Sequence, residues 1–334
     1  MDKRKIPLLI ICAAPILILL IILLSVCYGA KNIDYITIWN ALFHYDAGNV
    51  DHAIIMTSRL PRAIGALLVG AFLAISGALM QGMTRNYLAS PSIMGVADGS
   101  AFIITVSMIF LPNMTSIEMI LLSMVGSALG AGIVYGFGSL LPNGLSPVRL
   151  AIIGTVIVTF LSSLSQALAS YYQVSQNISF WYNARLHQID PELLGLALPI
   201  GIVGIFLALL VSKSVTILSL GEEVSVSLGQ RTGLVKVICI LSVICLTGTA
   251  IALVGKVGFV GLIIPHISRM LVGVDYKWII PCAGVLGAIF LGVCDVLSRF
   301  INYPFETPIG VVTALIGVPF FLYLIRTKGG RGHA

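Results

Sequence analysis

The sequence predicts an all-α polytopic membrane protein, and three observations carry that prediction. Hydrophobic residues make up 58% of the 334-residue chain and charged residues only 10%, where a soluble domain carries roughly 25% charged residues. The apolar residues gather into runs of about twenty, enough to cross roughly 30 Å of hydrocarbon as helices. The basic residues between those runs are unequally divided. With the N-terminus inside, thirteen of the nineteen Lys and Arg fall on the cytoplasmic side, and Lys31, Arg59, Arg62, Arg185, Lys256 and Arg299 remain outside. That asymmetry puts both termini in the cytoplasm.

Ten segments meet the length requirement: 7–28, 62–82, 92–111, 117–137, 149–171, 193–212, 234–254, 257–271, 278–297 and 308–326. The first follows Lys3, Arg4 and Lys5 and resembles a signal peptide. Its apolar run is too long for one and lacks a convincing cleavage site, so it reads as a retained helix. The segment 257–271 is short and contains Pro265. The longest outer stretches, 29–61 and 172–192, are too small for separate domains, so residues 1–334 form one transmembrane domain. The net charge of +6 is scattered between apolar runs, which excludes a nucleic-acid surface. Six cysteines lie in or beside apolar runs without CxxC spacing and read as small hydrophobes, neither disulfides nor metal ligands.

Gly65 and Gly70 in the second segment, and Gly126, Gly130 and Gly132 in the fourth, are expected at close helix contacts, because small residues let backbones approach in lipid. Asn86–Pro91 and Gly258–Arg269 place Gly, Pro and polar groups at membrane depth, which is tolerated only inside protein or beside a watery cavity. Asp98 is the costliest charge by position. It is expected near the cytoplasmic end of the third segment, held by a structural hydrogen bond.

The polar stretch Leu218–Gly233 lies between two apolar runs and faces the cytoplasm. Leu220, Val224 and Leu228 recur every four residues, as on one face of a short amphipathic helix. Gly221 and Gly229 bracket it, and Glu222 and Glu223 fall in its first turn, where the helix dipole favours carboxylates. It is either a surface for another protein or a solvated loop with interfacial anchors. The chain has no GxxxxGK[ST] phosphate loop, no GxSxG and no HExxH, so an enzymatic role is not expected.

Four stretches carry a resemblance: residues 59–99, 220–229, 258–273 and 306–324. They look like the permease subunits of ABC importers for iron–siderophores, haem and vitamin B12, over about residues 10 to 327. The resemblance implies a ten-helix bundle like that of vitamin B12 importer permeases, in the cytoplasmic membrane. It also implies a dimer of permeases (identical or sister chains), two cytoplasmic ATPase subunits and an extracytoplasmic substrate-binding protein. No cofactor is implied. Leu218–Gly233, with Leu220, Gly221, Glu222, Glu223, Ser225, Leu228 and Gly229, matches the segment received by a cleft on the ATPase. Arg59, Arg62 and Arg299 match arginines that meet carboxylates on the binding protein, which as exposed guanidinium groups they would do in bidentate pairs. The alternative is that they snorkel, with Asp295 a local partner of Arg299.

Pro265, His266 and Arg269 match the PHxxR signature at the inner end of the eighth helix, with a structural and coupling role. Glu306 precedes the last helix. Two features depart from the family pattern. Tyr87 stands where proline is usual. The run Phe180–Glu192 is aromatic and charged, so that Phe180, Trp181, Tyr182 and Arg185 could line the mouth of the pathway. That wording is closer to hydroxamate-siderophore permeases than to the vitamin B12 branch. The competing function is an ion-coupled secondary carrier, which would need ionisable groups at the midplane that these segments hardly contain.

Overall fold

The ten apolar segments fold as helices, seven long and apolar enough to cross a membrane and three shorter ones. The computed structural model describes residues 5–29, 31–141, 146–182, 186, 189–303 and 305–329. Among these residues every regular element is helical. The long helices are α1 (Ile6–Cys27), α4 (Leu60–Thr84), α6 (Ser116–Leu140), α7 (Pro147–Tyr171), α9 (Pro191–Leu220), α11 (Thr232–Val254) and α13 (Tyr276–Ser298). The shorter ones are α5 (Val96–Phe110), α12 (Val260–Val272) and α14 (Ile309–Gly329). Four further helices lie between them: α2 (Tyr35–Phe43), α3 (Val50–Ile54), α8 (Ser175–Tyr182) and α10 (Glu222–Ser227).

Helix α4 is the spine. It is buried along most of its length and packs on α13, α11, α12 and α9. Its glycines explain why. A Cβ at Gly70 would overlap the carbonyl of Gly287 on α13, and one at Gly77 would overlap that of Gly261 on α12. In lipid such backbone contact, not hydrophobic transfer, holds helices together. Gly126 and Gly130 of α6 meet Gly99 and Gly95 in the same way. Gly65 faces the Ile189 side chain. Gly132 does not fit the expectation: nothing lies within 4 Å of where its Cβ would be.

Three boundaries differ from the apolar pattern. A π-helical turn, Ile55–Arg59, joins α3 to α4, so helix runs unbroken over Val50–Thr84. Helix α5 begins only at Val96, because the carbonyl of Pro91 takes the amides of Val96 and Ala97 and Gly95 turns at φ 76°. Helix α9 continues past residue 212, through Lys213, to Leu220. Helix α6 starts at a capping box that the apolar count does not reveal. Thr115 and Glu118 exchange side-chain and backbone hydrogen bonds there.

Asp98 and Lys256 require a correction. They form an ion pair, so they share a depth, although the charge distribution assigns Lys256 to the outside and Asp98 to the inner end. Gly255 (φ 78°) and Phe259 (φ 68°) turn the chain after α11, and residues 255–259 fold back against α14, where the Phe259 ring meets Gly317.

Candidate docking, gating and coupling sites

At the N-terminal end of α4 the three arginines come together, but they are not exposed. Arg59, Arg62 and Arg299 are 9%, 7% and 6% exposed. Arg59 donates to the carbonyls of Val26 (2.6 Å), Cys27 (3.2 Å) and Lys31. Arg299 donates to the carbonyls of Ser25 and Tyr28 (2.8 Å) and to Ser25 Oγ (2.7 Å). Apart from that of Lys31, these oxygens close α1, which has no basic residue in its own last turn. Two guanidinium groups from other helices therefore satisfy its orphan carbonyls and its negative dipole end. Asp295, 1% exposed, accepts from Arg62 Nε (2.7 Å) through Oδ1 and from Arg299 and Ser25 Oγ (3.2 Å) through Oδ2. Glu306 takes both its oxygens to Arg62 Nη1, at 2.6 and 2.8 Å. The exposed docking cations expected from the sequence are thus the buried centre of a network joining α1, α4, α13 and the start of α14.

At the other end of α4, Pro265 explains the signature around it. Proline has no N–H, so the carbonyl of Gly261 loses its helical donor. Gln81 of α4 fills the gap, its Nε2 donating to the carbonyls of Leu262 (3.2 Å) and Gly261 (3.4 Å). Gln81 Oε1 in turn accepts from Arg269 (3.3 Å), which also donates to Tyr276 OH at 3.0 Å. Arg269 lies over the Tyr87 ring, 4.3 Å from its centroid. His266 is buried with its ring edge-on to Tyr87 and Phe320. Tyr87, the departure from proline, is thereby the platform for the signature arginine. Gln81 was missed in the sequence because an interior glutamine carries no motif. The signal was its company, a proline-broken helix in need of a donor.

The polar stretch Leu218–Gly233 holds a short helix between the two glycines, but Leu220 ends α9 and Leu228 lies beyond α10, so only Val224 of the three belongs to it. Gly221, at φ 140° and ψ 149°, breaks α9 in a conformation closed to other residues, and α10 follows. Leu220, Val224 and Leu228 are all exposed, as are Val226 and Glu223. Ser225 is fully buried and donates to the Gly221 carbonyl (2.8 Å). Gly229 (φ 77°) ends the turn, and Gln230 Nε2 ties it back to the Ser214 carbonyl at 2.9 Å. Glu222 accepts from Lys236 Nζ (2.7 Å) and Thr232 Oγ1 (3.4 Å) of α11. The bond from Lys236 is the main reason its carboxyl is held below the usual carboxylate range. The result is a small rigid hairpin with an apolar crown.

The aromatic run is less fully visible. The backbone of Phe180, Trp181 and Tyr182 closes α8, their side chains fall outside the described residues, and so does Arg185. No group of three or more metal-ligating side chains occurs among the described residues.

A bundle stitched by glycine contacts, with buried ion pairs at its helix ends and a short hairpin with exposed apolar side chains between α9 and α11, defines a multi-pass membrane permease. The chain belongs to the FecCD transport family, whose profile matches residues 17–327. It is 60% identical to the iron-uptake system permease protein FeuB of Bacillus subtilis, over 96% of each chain. To the iron(3+)-hydroxamate import system permease protein FhuB of the same organism it is 49% identical, over 91% of this chain and 79% of the relative. Among solved structures, an inward-facing conformation of a putative metal-chelate type ABC transporter matches with TM-score 0.81 and 29% identity. That match covers 96% of this chain and 99% of the other.

Proposed function

We propose that this chain is the permease subunit of a binding-protein-dependent ABC importer and forms the membrane pathway for a ferric siderophore. The observation that carries the reading is the likeness, over nearly the whole length, to permeases whose names specify iron uptake and iron–hydroxamate import. The hydroxamate class is supported by the second of these. The exposed apolar crown of α10, on a hairpin with a fixed base, supports contact with a separate ATPase subunit. The partners are then a second permease, two cytoplasmic ATPase subunits and an extracytoplasmic binding protein, assembled on a ten-span chain with both termini in the cytoplasm.

The docking role of Arg59, Arg62 and Arg299 takes a different form from simple surface pairing. The cluster holds three guanidinium groups and two carboxylates, so it presents a net positive centre beneath the partly exposed Glu306. An acidic patch of the binding protein would compete with Glu306 for Arg62.

The purified chain should hydrolyse no ATP, and uptake of a panel of ferric hydroxamates, ferric catecholates, haem and cobalamin should require both this chain and the ATPase. A cysteine at exposed Ser227 should crosslink to the ATPase subunit. The buried Ser225 is unsuitable for this, contrary to what its place in the polar stretch indicates. A Ser227 crosslink to the external binding protein would overturn the topology and the coupling role together. Uptake that persists without the ATPase and collapses with the proton gradient would favour the secondary carrier.

A further inference from the structure

The Asp98–Lys256 pair lies deep in the bundle. Asp98 is in the first turn of α5, beside Gly99, whose neighbour Gly130 is the fifteenth residue of α6. Fifteen residues of helix put that contact roughly 20 Å from the Thr115 end. The two charges are unequally covered: the Asp98 side chain is 8% exposed and that of Lys256 30%. Lys256 lines an open groove of about 570 Å3 whose wall is α14, through Val311, Ala314, Leu315 and Val318, with Pro308 just before it. Lys256 is the charged group among its described lining residues.

This arrangement orients a dipole. The carboxylate is behind, within the α5 turn, and the ammonium is in front, towards the void. An ammonium at this depth is costly unless paired, and Asp98 is its partner. The apolar α14 wall lowers the local dielectric, so the positive end of the pair is felt across the cavity more strongly than it would be in water. The volume is that of a small-molecule site, with apolar walls and one placed polar group.

We propose that Lys256 and the α14 wall form a contact site for metal chelates of net negative charge, with Asp98 as the fixed counter-ion that aims the ammonium. The inference rests on the ferric-chelate reading above and narrows it. A neutral ferric tris-hydroxamate gains nothing from Lys256, whereas a catecholate chelate, or a hydroxamate that also carries a carboxylate, presents the oxyanion this site takes.

The test uses the full chain in lipid nanodiscs with Leu315→Cys as reporter, read by mass spectrometry of its peptide. The anionic sulfonatoethyl methanethiosulfonate should react faster than the neutral hydroxyethyl reagent, relative to a free thiol, by about three- to tenfold. Lys256→Gln should abolish that preference, and Lys256→Arg should keep it. Because Lys256→Gln strands a buried carboxylate, the double variant Asp98→Asn with Lys256→Gln removes both charges together and should also lose the preference. The trianionic ferric tris(2,3-dihydroxy-N,N-dimethylbenzamide) should protect the reporter from the neutral reagent, and neutral ferric tris(acetohydroxamate) should not. Protection should vanish in the double variant. Equal protection by both complexes, a preference unchanged by the double variant, or a Leu315→Cys that reacts with neither reagent because lipid or a second copy fills the cavity would each overturn the proposal. None of these readouts needs a partner subunit, so a failure of the importer reading would appear in the uptake panel and not here.

Discussion

Asp295 lies between two guanidinium groups and a serine hydroxyl, with almost no access to solvent. Removing one partner of a buried charge network typically costs about 3–5 kcal/mol, because the remaining charges stay desolvated. Asp295→Asn should therefore destabilise the purified chain by an amount of that order, read as a lower thermal midpoint by intrinsic fluorescence in detergent. An unchanged midpoint would show that the network is dispensable. The same logic bears on reversing Arg59 and Arg62 to glutamate. Those substitutions place carboxylates against the carbonyls of Val26 and Cys27 and beside Asp295, so loss of docking in that variant would report misfolding first. The sequence names these three arginines together. It could not show their burial, because apart from Asp295, four residues before Arg299, their partners are 28 to 274 residues away, and several are backbone oxygens that no sequence pattern marks.

The hairpin around α10 depends on the bond between Glu222 and Lys236. Since the folded-state carboxyl is held below its usual value of 4.5, the tether is fully present above that pH and is lost as pH falls through the depressed value. A spin label at Ser227→Cys should accordingly be immobile at pH 7 and gain mobility only once pH falls below the usual carboxyl value of 4.5. Glu222→Gln should show the mobile spectrum already at pH 7, and a spectrum indifferent to both changes would mean that Gly221 and Gln230 hold the hairpin unaided. The bracketing glycines of this element were legible in the sequence as local signals, but the Leu220, Val224 and Leu228 period is not carried by one helix, because Gly221 breaks the chain between Leu220 and Val224. The bond to Lys236 was not legible, because it joins the turn to the next helix.

At the scale of the whole molecule, close backbone contacts decide whether the bundle assembles. Gly287→Leu would drive a side chain into the Gly70 carbonyl and Ala74 of α4. Overpacking of this kind usually costs about 1–3 kcal/mol and more where backbone must move. The folded yield in membranes should drop sharply, measured by size-exclusion of the solubilised chain. Gly132→Leu is the control: the site is open, and the change should stay within about 0.5 kcal/mol. Equal losses for both would mean that glycine serves insertion and not packing. The two residues are alike in the sequence, each an interior glycine of an apolar run. Only the position of the neighbouring helix separates them.

The sequence by itself determined the class, the ten apolar segments, the glycines that bracket the hairpin and the membership that its motifs announce. These are properties of composition and of periodicity within one helix, and a bilayer imposes them on each segment separately. Tertiary structure alone decided that the outer arginines face inward, that Gln81 answers the proline of α12, that Tyr87 carries Arg269, and that Lys256 turns back to meet Asp98. Each of these is a contact between helices far apart in the chain. In a low-dielectric interior an unpaired polar group is too costly to leave, so distant helices must bring the partner, and which helix brings it is settled only when the bundle closes.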